Sequence, residues 1–493
     1  MTSFLRRLFP VRREERGLVL LLYALLTLMV LADWIGKVGT NAVFVKRVGV
    51  TYLPVMYIVT PVVMLIASSF IFGLVDRMRR RDLFFWYIAA TTVLSVATQA
   101  AMELGGPDYW WAYIFAHVVK ETVYLIFWVY AGNLFDSEQS KRIFPLFAGA
   151  LLIGKIGGGI ASTALQPAIH SENFMAAQAV GFALCFALVF LFRGHFPEGE
   201  GDISDRVAKE RPQGLRAQIL GSLDGYRAVA SDRLLRPFGV NIFFWYFLMQ
   251  IANYLYAAGL DAQTTAPTMQ GAEDAYALLY ASVYTSGSIL ALLIQTFFTG
   301  SLIRRLGVSA VLFCFPLWYV VTYGLGTAFG LTLLIALALQ AGERIVVPAI
   351  HTPATQVVYS LVAAELRPRA RAFFSGGVNA IGNIGAAFVL LAGAISNNTP
   401  QVLAFGTACS LLYLVNTWNV RRALGQRIVE NLTSPEPELR RNAEQMLHGE
   451  GRAVPTDRLA IALSQASADV EAGIRLALTR RGALGAATEA NAE

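Results

Sequence analysis

The chain has 493 residues, of which 56% are hydrophobic and only 15% are charged. Apolar stretches of about 20 residues, enough to cross the hydrocarbon of a bilayer as a helix, recur along it, which excludes an ordinary soluble globular protein. The net charge of +7 is concentrated in short loops, so it does not indicate nucleic-acid binding. The three cysteines lie in apolar runs and indicate neither a disulfide framework nor a metal site.

We predict an all-α polytopic membrane protein with twelve transmembrane helices. The first apolar run follows several arginines like a signal peptide, but it has no small-residue cleavage pattern, so we interpret it as the first span. In chain order the predicted spans cover residues 17–39, 53–75, 83–104, 110–134, 142–167, 174–193, 236–260, 275–300, 306–327, 330–362, 371–396 and 401–420.

Basic residues test the topology of these spans, because Lys and Arg collect in cytoplasmic loops. The opposite loops carry only Lys46 and Arg47. We therefore predict that both termini are cytoplasmic. The basic residues that support this orientation occupy the N-terminal head and the turns after even-numbered spans: Arg6, Arg7, Arg12, Arg13, Arg16, Arg77, Arg79, Arg80, Arg81, Lys141, Arg142, Arg304, Arg305, Arg367, Arg369, Arg421 and Arg422.

A polar stretch divides the spans into two sets of six. The expected domains are a first transmembrane half at 1–193, a cytoplasmic linker at 194–235, a second half at 236–422 and a cytoplasmic helical tail at 423–493. This layout is typical of the major facilitator superfamily, in which two halves rock around a site at the membrane midplane. The segment FGLVDRMRRRD at 72–82 resembles that superfamily's basic turn between spans 2 and 3. In the second half, TGSLIRRLG at 299–307 resembles the same turn less closely.

Ionisable residues inside the predicted spans are the main candidates for function. Each costs about 2.5–3.5 kcal/mol on insertion scales, so it is retained where it has a role or a partner. Most lie in spans 1, 4 and 10, which line the central cavity in the superfamily fold. The residues are Asp33, Lys37, His117, Lys120, Glu121, Lys155, Glu343, Arg344 and His351.

The charges of these residues favour an anionic solute, because the cations outnumber the carboxylates. The expected solute-binding cations are Lys37, Lys120, Lys155 and Arg344, and the expected gating or proton-coupling groups are Asp33, His117, Glu121 and Glu343. An alternative is that Asp33 with Lys37, and Glu343 with Arg344, only neutralise each other. Because Lys120 and Glu121 are consecutive and point about 100° apart on a helix, we expect at least one to serve helix packing.

Span 11 carries a polar stripe at four-residue spacing, Ser375, Asn379 and Asn383, among several glycines. Membrane helices use such residues as hydrogen-bonding contacts in close packing. Three polar groups on one face also suit a cavity wall, and we predict Asn379 and Asn383 as solute-binding residues.

The segment GALLIGKI at 149–156 nearly matches a phosphate-binding P-loop. Position 156 is isoleucine where the loop needs a magnesium-binding Ser or Thr, and the segment lies in an apolar span rather than between a strand and a helix. We interpret it as the glycine-rich middle of span 5, where small residues let helices close in around Lys155. The cytoplasmic segments show no pattern of a nucleophile–base set, a metal cluster or a cofactor loop. We therefore predict that the protein is not an enzyme and uses no cofactor.

The last 70 residues are polar and helix-forming. The segments at 434–447 and 465–478 share an apolar stripe: Leu439, Ala443 and Leu447 correspond to Val470, Ile474 and Leu478. This pattern resembles HEAT-type repeat helices, which stack to bury such stripes. The alternative is a simple amphipathic tail.

The stretch FWVYAGNLFDSEQSKRIFPLFAGAL at 127–151 resembles the nucleotide (ATP/ADP) translocases of plastids and intracellular bacteria. The residues that match that family's FW…AN and KR-x-x-PLF pattern are Phe127, Trp128, Asn133, Lys141, Arg142, Pro145, Leu146 and Phe147. Lys37 falls on a lysine of the family, and 355–385 resembles its late glycine-rich segment. Asn383 stands where the family tends to have lysine, and Glu121 is displaced from the family's acidic position.

The resemblance implies a divergent bacterial relative in the inner (cytoplasmic) membrane that carries nucleotides. We therefore expect a secondary active transporter of a nucleotide or related phosphorylated anion, by exchange or proton symport. One alternative is a carrier of another organic anion or a drug-like solute. A second is a membrane scaffold or sensor whose tail docks a protein partner. Beyond the lipid bilayer and the solute, we expect no nucleic-acid partner.

Overall fold

The computed structural model describes residues 12, 14–75, 78–104, 108–132, 134–135, 137–196, 227, 229–363, 366–392, 399–447, 450, 454, 459, 461–463 and 468–479. Several predictions fall outside this part of the chain: the roles of Arg6, Arg7, Arg13, Arg77 and Asn133, and most of the linker at 194–235. The side chains of Lys141, Pro145 and Val470 also lie outside it.

The described residues are mostly helical and include no strand, which confirms the prediction of an all-α polytopic membrane protein. Nine of their segments are long and apolar enough to cross a membrane, and the first, Arg16–Ser68, holds two predicted spans. Predicted spans 7 and 12 also coincide with long helices, Leu235–Gln263 and Thr399–Leu432. Each of the twelve predicted spans therefore overlaps a helix or a short series of helices.

The chain divides into two compact units. Unit 1 comprises residues 1–211 and 257–289, and unit 2 comprises residues 212–256 and 290–493. The helices of unit 1 are α1 (Arg16–Val43), α2 (Leu53–Val75), α3 (Arg80–Leu104), α4 (Asp108–Ala131), α5 (Ser137–Ile169) and α6 (Phe174–Leu191). Two helices contribute to both units, α7 (Leu235–Gln263) and α8 (Met269–Ile294).

Unit 2 contains shorter helices, several of which are joined by π-helical turns. Its helices are α9 (Gly300–Leu306), α10 (Val308–Val311), α11 (Cys314–Phe329), α12 (Leu333–Ala341), α13 (Thr352–Ser360), α14 (Leu366–Ala372), α15 (Asn379–Leu391), α16 (Thr399–Leu432), α17 (Pro437–Leu447) and α18 (Ala468–Thr479). The π-helical segments are Phe44–Gly49 in unit 1 and Gln295–Thr299, Gly342–His351 and Phe373–Val378 in unit 2. Short 3₁₀ turns cover Val50–Tyr52, Ser171–Asn173 and Arg193–His195.

Close contact between α1 and α5 depends on glycine. A Cβ added to Gly154 would lie 2.7 Å from Cβ of Val30 and 2.8 Å from the Thr27 carbonyl oxygen. One turn later, a Cβ at Gly158 would lie 2.6 Å from Cβ of Trp34. The two positions form the small-residue pattern that lets membrane helices pack backbone to backbone. The glycine-rich middle of span 5 therefore brings α5 against α1, as the sequence indicated.

The C-terminal tail packs against the rest of unit 2. The apolar stripe of α17 is buried at Leu439, Ala443 and Leu447, and the last two belong to one hydrophobic core with helices α10, α13 and α16. Ile474 and Leu478 of α18 lie in the same core. The helix α16 continues to Leu432, through the boundary suggested at residue 422, so the tail begins as an extension of the last span.

Polar contacts hold the tail at defined positions. Asn431 Nδ2 donates to the Leu361 carbonyl oxygen at 2.9 Å, and Asn442 Nδ2 donates to that of Ser360 at 3.0 Å. The buried carboxylate of Glu450 accepts from the Ser309 backbone N–H at 2.7 Å and also contacts the Ser309 hydroxyl. Burial raises the pKa of the Glu450 carboxyl above its usual value, although the Ser309 contacts act in the opposite direction.

We expect docking of the tail to depend on pH through Glu450. Because the folded-state pKa is raised, the stabilising contribution of this group is present at low pH and is lost as the pH rises through the folded-state value. The protection factors of the amides of 437–447, which correct the exchange rates for the intrinsic effect of pH, should therefore be higher at pH 5 than at pH 8. The Glu450→Gln variant should remove this dependence, and equal dependence in both proteins would contradict the role of Glu450. The exposed Glu436→Gln serves as the control.

Candidate functional site

The candidate site in unit 1 is built around Asp33, a buried carboxylate in the middle of α1. The side chain is 1% exposed, and its Oδ1 atom has no hydrogen-bond partner among the residues described. Its charge interacts with those of three lysines and one glutamate, namely Lys37, Lys120, Lys155 and Glu121. Because a buried charge is costly without compensation, this gathering of cations explains how the apolar helix tolerates Asp33.

Helices α1, α4 and α5 supply these charges. Lys37 lies one turn after Asp33 and is 5% exposed, whereas Lys120 and Glu121 extend from α4 and Lys155 extends from α5. The Lys120 Nζ lies 2.8 Å from a Glu121 carboxylate oxygen, with side chains 28% and 48% exposed. The two side chains therefore contact each other although they begin on different faces of α4, and the expectation that at least one of them serves helix packing stays a prediction.

Aromatic rings line the cationic groups. The Lys37 Nζ lies 5.0 Å from the centroid of the Trp34 ring and 5.9 Å from that of Tyr284. The Lys155 Nζ lies 5.8 Å from the centroid of the Tyr124 ring. Such cation–π contacts stabilise a charge in low dielectric without neutralising it. Aromatic rings therefore form part of the surroundings of both Lys37 and Lys155.

His117 adjoins this group but is held by its own helix. Its ring stacks on Tyr113 with centroids 4.1 Å apart, and its Nδ1 atom is 2.9 Å from the Tyr113 carbonyl oxygen. The carbonyl is an acceptor, so the contact places a proton on Nδ1 and directs Nε2 away from it. His117 interacts electrostatically with Lys37 and Lys120, so it lies next to the cationic group.

Unit 2 contains a second polar group, at the junction of α12 and a π-helical segment. Arg344 Nη2 lies 3.0 Å from a Glu343 carboxylate oxygen. With its amide oriented to satisfy both neighbours, Gln340 accepts from Arg344 Nε at 2.7 Å and donates to Asn253 Oδ1 at 3.1 Å. The other Glu343 oxygen, Oε2, is buried and has no hydrogen-bond partner within the described part of the chain.

The π-helical geometry here has a local cause. Pro348 lies inside Gly342–His351 and lacks the N–H that an α-helix would use. Glu343 and Arg344 both lie in this π-helical segment, and π-helical turns are frequent at functional sites. The sequence showed both charges but not this change of helical register.

Asn379 and Asn383 form a pair on α15. Asn383 Nδ2 donates to Asn379 Oδ1 at 2.7 Å, while Asn383 Oδ1 is buried without a partner among the residues the structure describes. Asn379 Nδ2 donates to the Ser375 carbonyl oxygen at 3.2 Å. The four-residue spacing therefore produces a connected polar ladder, with one acceptor left for another group.

A third charged group lies in unit 1, in segments expected on the non-cytoplasmic side. Arg47 donates to Glu273 at 2.5 and 3.0 Å, to Glu172 at 2.6 Å and to the Tyr109 hydroxyl at 2.7 Å. The adjacent Lys46 donates to Asp261 Oδ1 at 2.6 Å. These bonds tie the turn after α1 to the ends of α5, α7 and α8, all within unit 1.

The same network includes a strained residue. His170 has a φ of +54°, in the left-handed region that non-glycine residues rarely occupy. The carboxylate of Asp274 lies 2.8 Å from its Nδ1 and accepts from the Ser171 N–H at 2.7 Å, so this contact holds the turn in place. The sequence analysis noted Lys46 and Arg47 only as exceptions to the charge rule. Their acidic partners lie more than 120 positions away and gave no local signal.

Comparison with solved structures shows that the fold is similar to that of several transporters. The nucleoside transporter NupG has a TM-score of 0.55 at 16% sequence identity, with 82% of this chain and 99% of that chain covered. The D-xylose-proton symporter has a TM-score of 0.55 at 11% identity, with 81% and 97% covered. A POT family transporter in complex with a conjugated peptide has a TM-score of 0.53 at 12% identity, with 80% and 94% covered.

No protein-family model matches the sequence, and no curated protein is similar enough in sequence to match. The chain is a multi-pass, all-α membrane protein whose fold is similar to that of these three transporters.

We expect Arg47 to stabilise the folded state of unit 1. The Glu273 side chain is fully buried, so removal of Arg47 leaves a buried carboxylate without its main cation, which typically costs about 3–5 kcal/mol. The Arg47→Ala variant should therefore unfold at a lower temperature in a thermal-shift assay. A double variant, Arg47→Ala with Glu273→Gln, should recover part of this loss.

The matched control is Arg305→Ala, which removes an exposed arginine from a different turn. If Arg47→Ala and Arg305→Ala shift the melting temperature equally, the network has no special role in unit 1.

Proposed function

We propose that the chain is a secondary active transporter of an anionic solute, a nucleotide or a related phosphorylated molecule, that works by alternating access. The observation that supports this most strongly is the group of three lysines gathered near Asp33 on α1, α4 and α5. Phosphate groups carry several charges and accept many hydrogen bonds, so they match a site with several cations. The major facilitator fold provides the moving scaffold that such a site needs.

In this mechanism Lys37 and Lys155 neutralise the phosphate charge, while Lys120 exchanges its bond to Glu121 for one to the solute. The aromatic rings of Trp34 and Tyr284 beside Lys37 suit the planar face of a nucleobase or other ring system. Within unit 2, Arg344, Asn379 and Asn383 are the candidate solute-binding residues. Glu343 holds Arg344 when no anion is present.

Coupling to protons uses the carboxylates. Asp33 is buried with an unsatisfied oxygen, so it is the best-placed group of unit 1 to exchange a proton while the lysines change partners. Glu121, Glu343 and His117 are the further candidates. The same charges also permit exchange of one anion for another without protons, and the two modes differ in whether a pH gradient drives uptake.

A nucleotide is the preferred cargo because the resemblance of 127–151 to the ATP/ADP translocases agrees with this cationic site. NupG, a nucleoside transporter, has a similar fold. The bacterial inner membrane, with both termini cytoplasmic, is the proposed location. The burial of the tail's apolar stripe within unit 2 weakens the alternative of a scaffold that offers this stripe to a protein partner.

Uptake by the purified full chain in proteoliposomes tests this proposal. Radiolabelled ATP, ADP, a nucleoside and a sugar phosphate would be compared, with and without an imposed pH gradient. Lys37→Ala and Lys155→Ala should each lower the uptake of the phosphorylated solute at least tenfold, since a charged hydrogen bond contributes about 1.5–3 kcal/mol. Lys155→Arg, which keeps the charge, should retain more activity than Lys155→Ala.

The exposed Arg441→Ala is the control for general effects of charge removal. Uptake of the phosphorylated solute at wild-type rates by both lysine variants would contradict the assignment of the site. Uptake of the uncharged nucleoside alone would contradict the assignment of the solute.

A further inference from the structure

A cavity opens at the surface of unit 1 between α3 and α6. Its volume is about 640 Å³, and it is distinct from the lysine group on α1, α4 and α5. Its lining residues are Met78, Arg79, Asp82, Phe85, Trp86, Ala89, Phe186, Val189, Phe190 and Arg193. None of them belongs to the proposed solute site.

The lining residues follow the two helices in register. On α3 they lie at 82, 85, 86 and 89, and on α6 at 186, 189 and 190, with Arg193 completing the same spacing. This i, i+3, i+4, i+7 pattern marks one continuous face of each helix. The cavity is therefore a groove between two helical faces, about two turns long.

The charged residues gather at one end of this groove. Arg79 immediately precedes α3, and Arg193 follows the last residue of α6 by two positions, so the beginning of one helix adjoins the end of the other. Both arginines are exposed. Asp82 is the acidic residue of the lining, and it forms an ion pair with Arg81 at 3.5 Å. The charge at this end of the groove is therefore positive.

The rest of the groove is apolar and open to the surroundings. Trp86 is 66% exposed and Phe190 is 67% exposed, and Phe85 and Val189 form the floor. Both helices are apolar enough to cross a membrane, so these rings face lipid rather than water. A ligand that fits has one anionic end and one hydrocarbon end.

We propose that this groove binds an anionic phospholipid, with the headgroup phosphate between Arg79 and Arg193 and an acyl chain along Trp86, Phe186 and Phe190. Arginine presents paired N–H donors that match a phosphate. The arginine end is also the end predicted to face the cytoplasm, where the leaflet carries anionic lipid. A free phosphate would match the arginines but would leave the apolar length of the groove unused.

The test uses the purified, delipidated full chain and native mass spectrometry. Phosphatidylglycerol and phosphatidylethanolamine with identical acyl chains would be titrated separately, and inorganic phosphate would be added as a competitor. The wild type should prefer phosphatidylglycerol, and Arg79→Gln with Arg193→Gln should lower its binding about tenfold and remove the preference. Trp86→Ala should weaken binding of both lipids and keep the preference.

The matched control is Arg304→Gln with Arg305→Gln, which removes two exposed arginines from another turn on the predicted cytoplasmic side. Thermal unfolding of all variants confirms that they are folded. Equal binding of the two lipids by the wild type, or an unchanged preference in the Arg79/Arg193 variant, would overturn the proposal. Displacement of phosphatidylglycerol by millimolar inorganic phosphate would assign the arginines to a soluble anion instead.

Discussion

The compensation of charge inside an apolar helix is the constraint on which the candidate site depends. Asp33 lies in the middle of α1 and is almost fully buried, where an isolated carboxylate would be strongly unfavourable. Lysines from α1, α4 and α5 provide the compensation, and Gly154 and Gly158 allow α5 to approach α1 closely enough for this. The packing of the helices and the chemistry of the site therefore depend on the same contact.

The architecture could be predicted because a bilayer limits what a chain can do. Apolar length and basic loops are properties of the sequence alone, and they gave the all-α fold and spans that coincide with helices. The wide turn of Gly342–His351 could not be predicted in this way. It depends on how Pro348 is accommodated among neighbouring helices, and an apolar stretch looks the same in α- and π-helical form.

The site was only partly predictable, and the reason differs among residues. Lys37 and Lys155 stand out because a charge in an apolar run is rare. Trp34 and Tyr284, which lie against Lys37, look like ordinary core residues until the fold places them together. The pairing of Arg47 with Glu273 joins positions 226 apart, so only the tertiary structure shows it.

The central claim is that the charges near Asp33 bind a phosphate-bearing solute and do more than neutralise each other. Equilibrium binding of radiolabelled ADP to purified Asp33→Asn/Lys37→Met tests this most directly, because this double variant removes both charges and nearly keeps the side-chain volumes. The account predicts a folded protein with an unfolding temperature close to that of the wild type and binding reduced at least tenfold. Wild-type affinity for ADP in this folded double variant would contradict the claim.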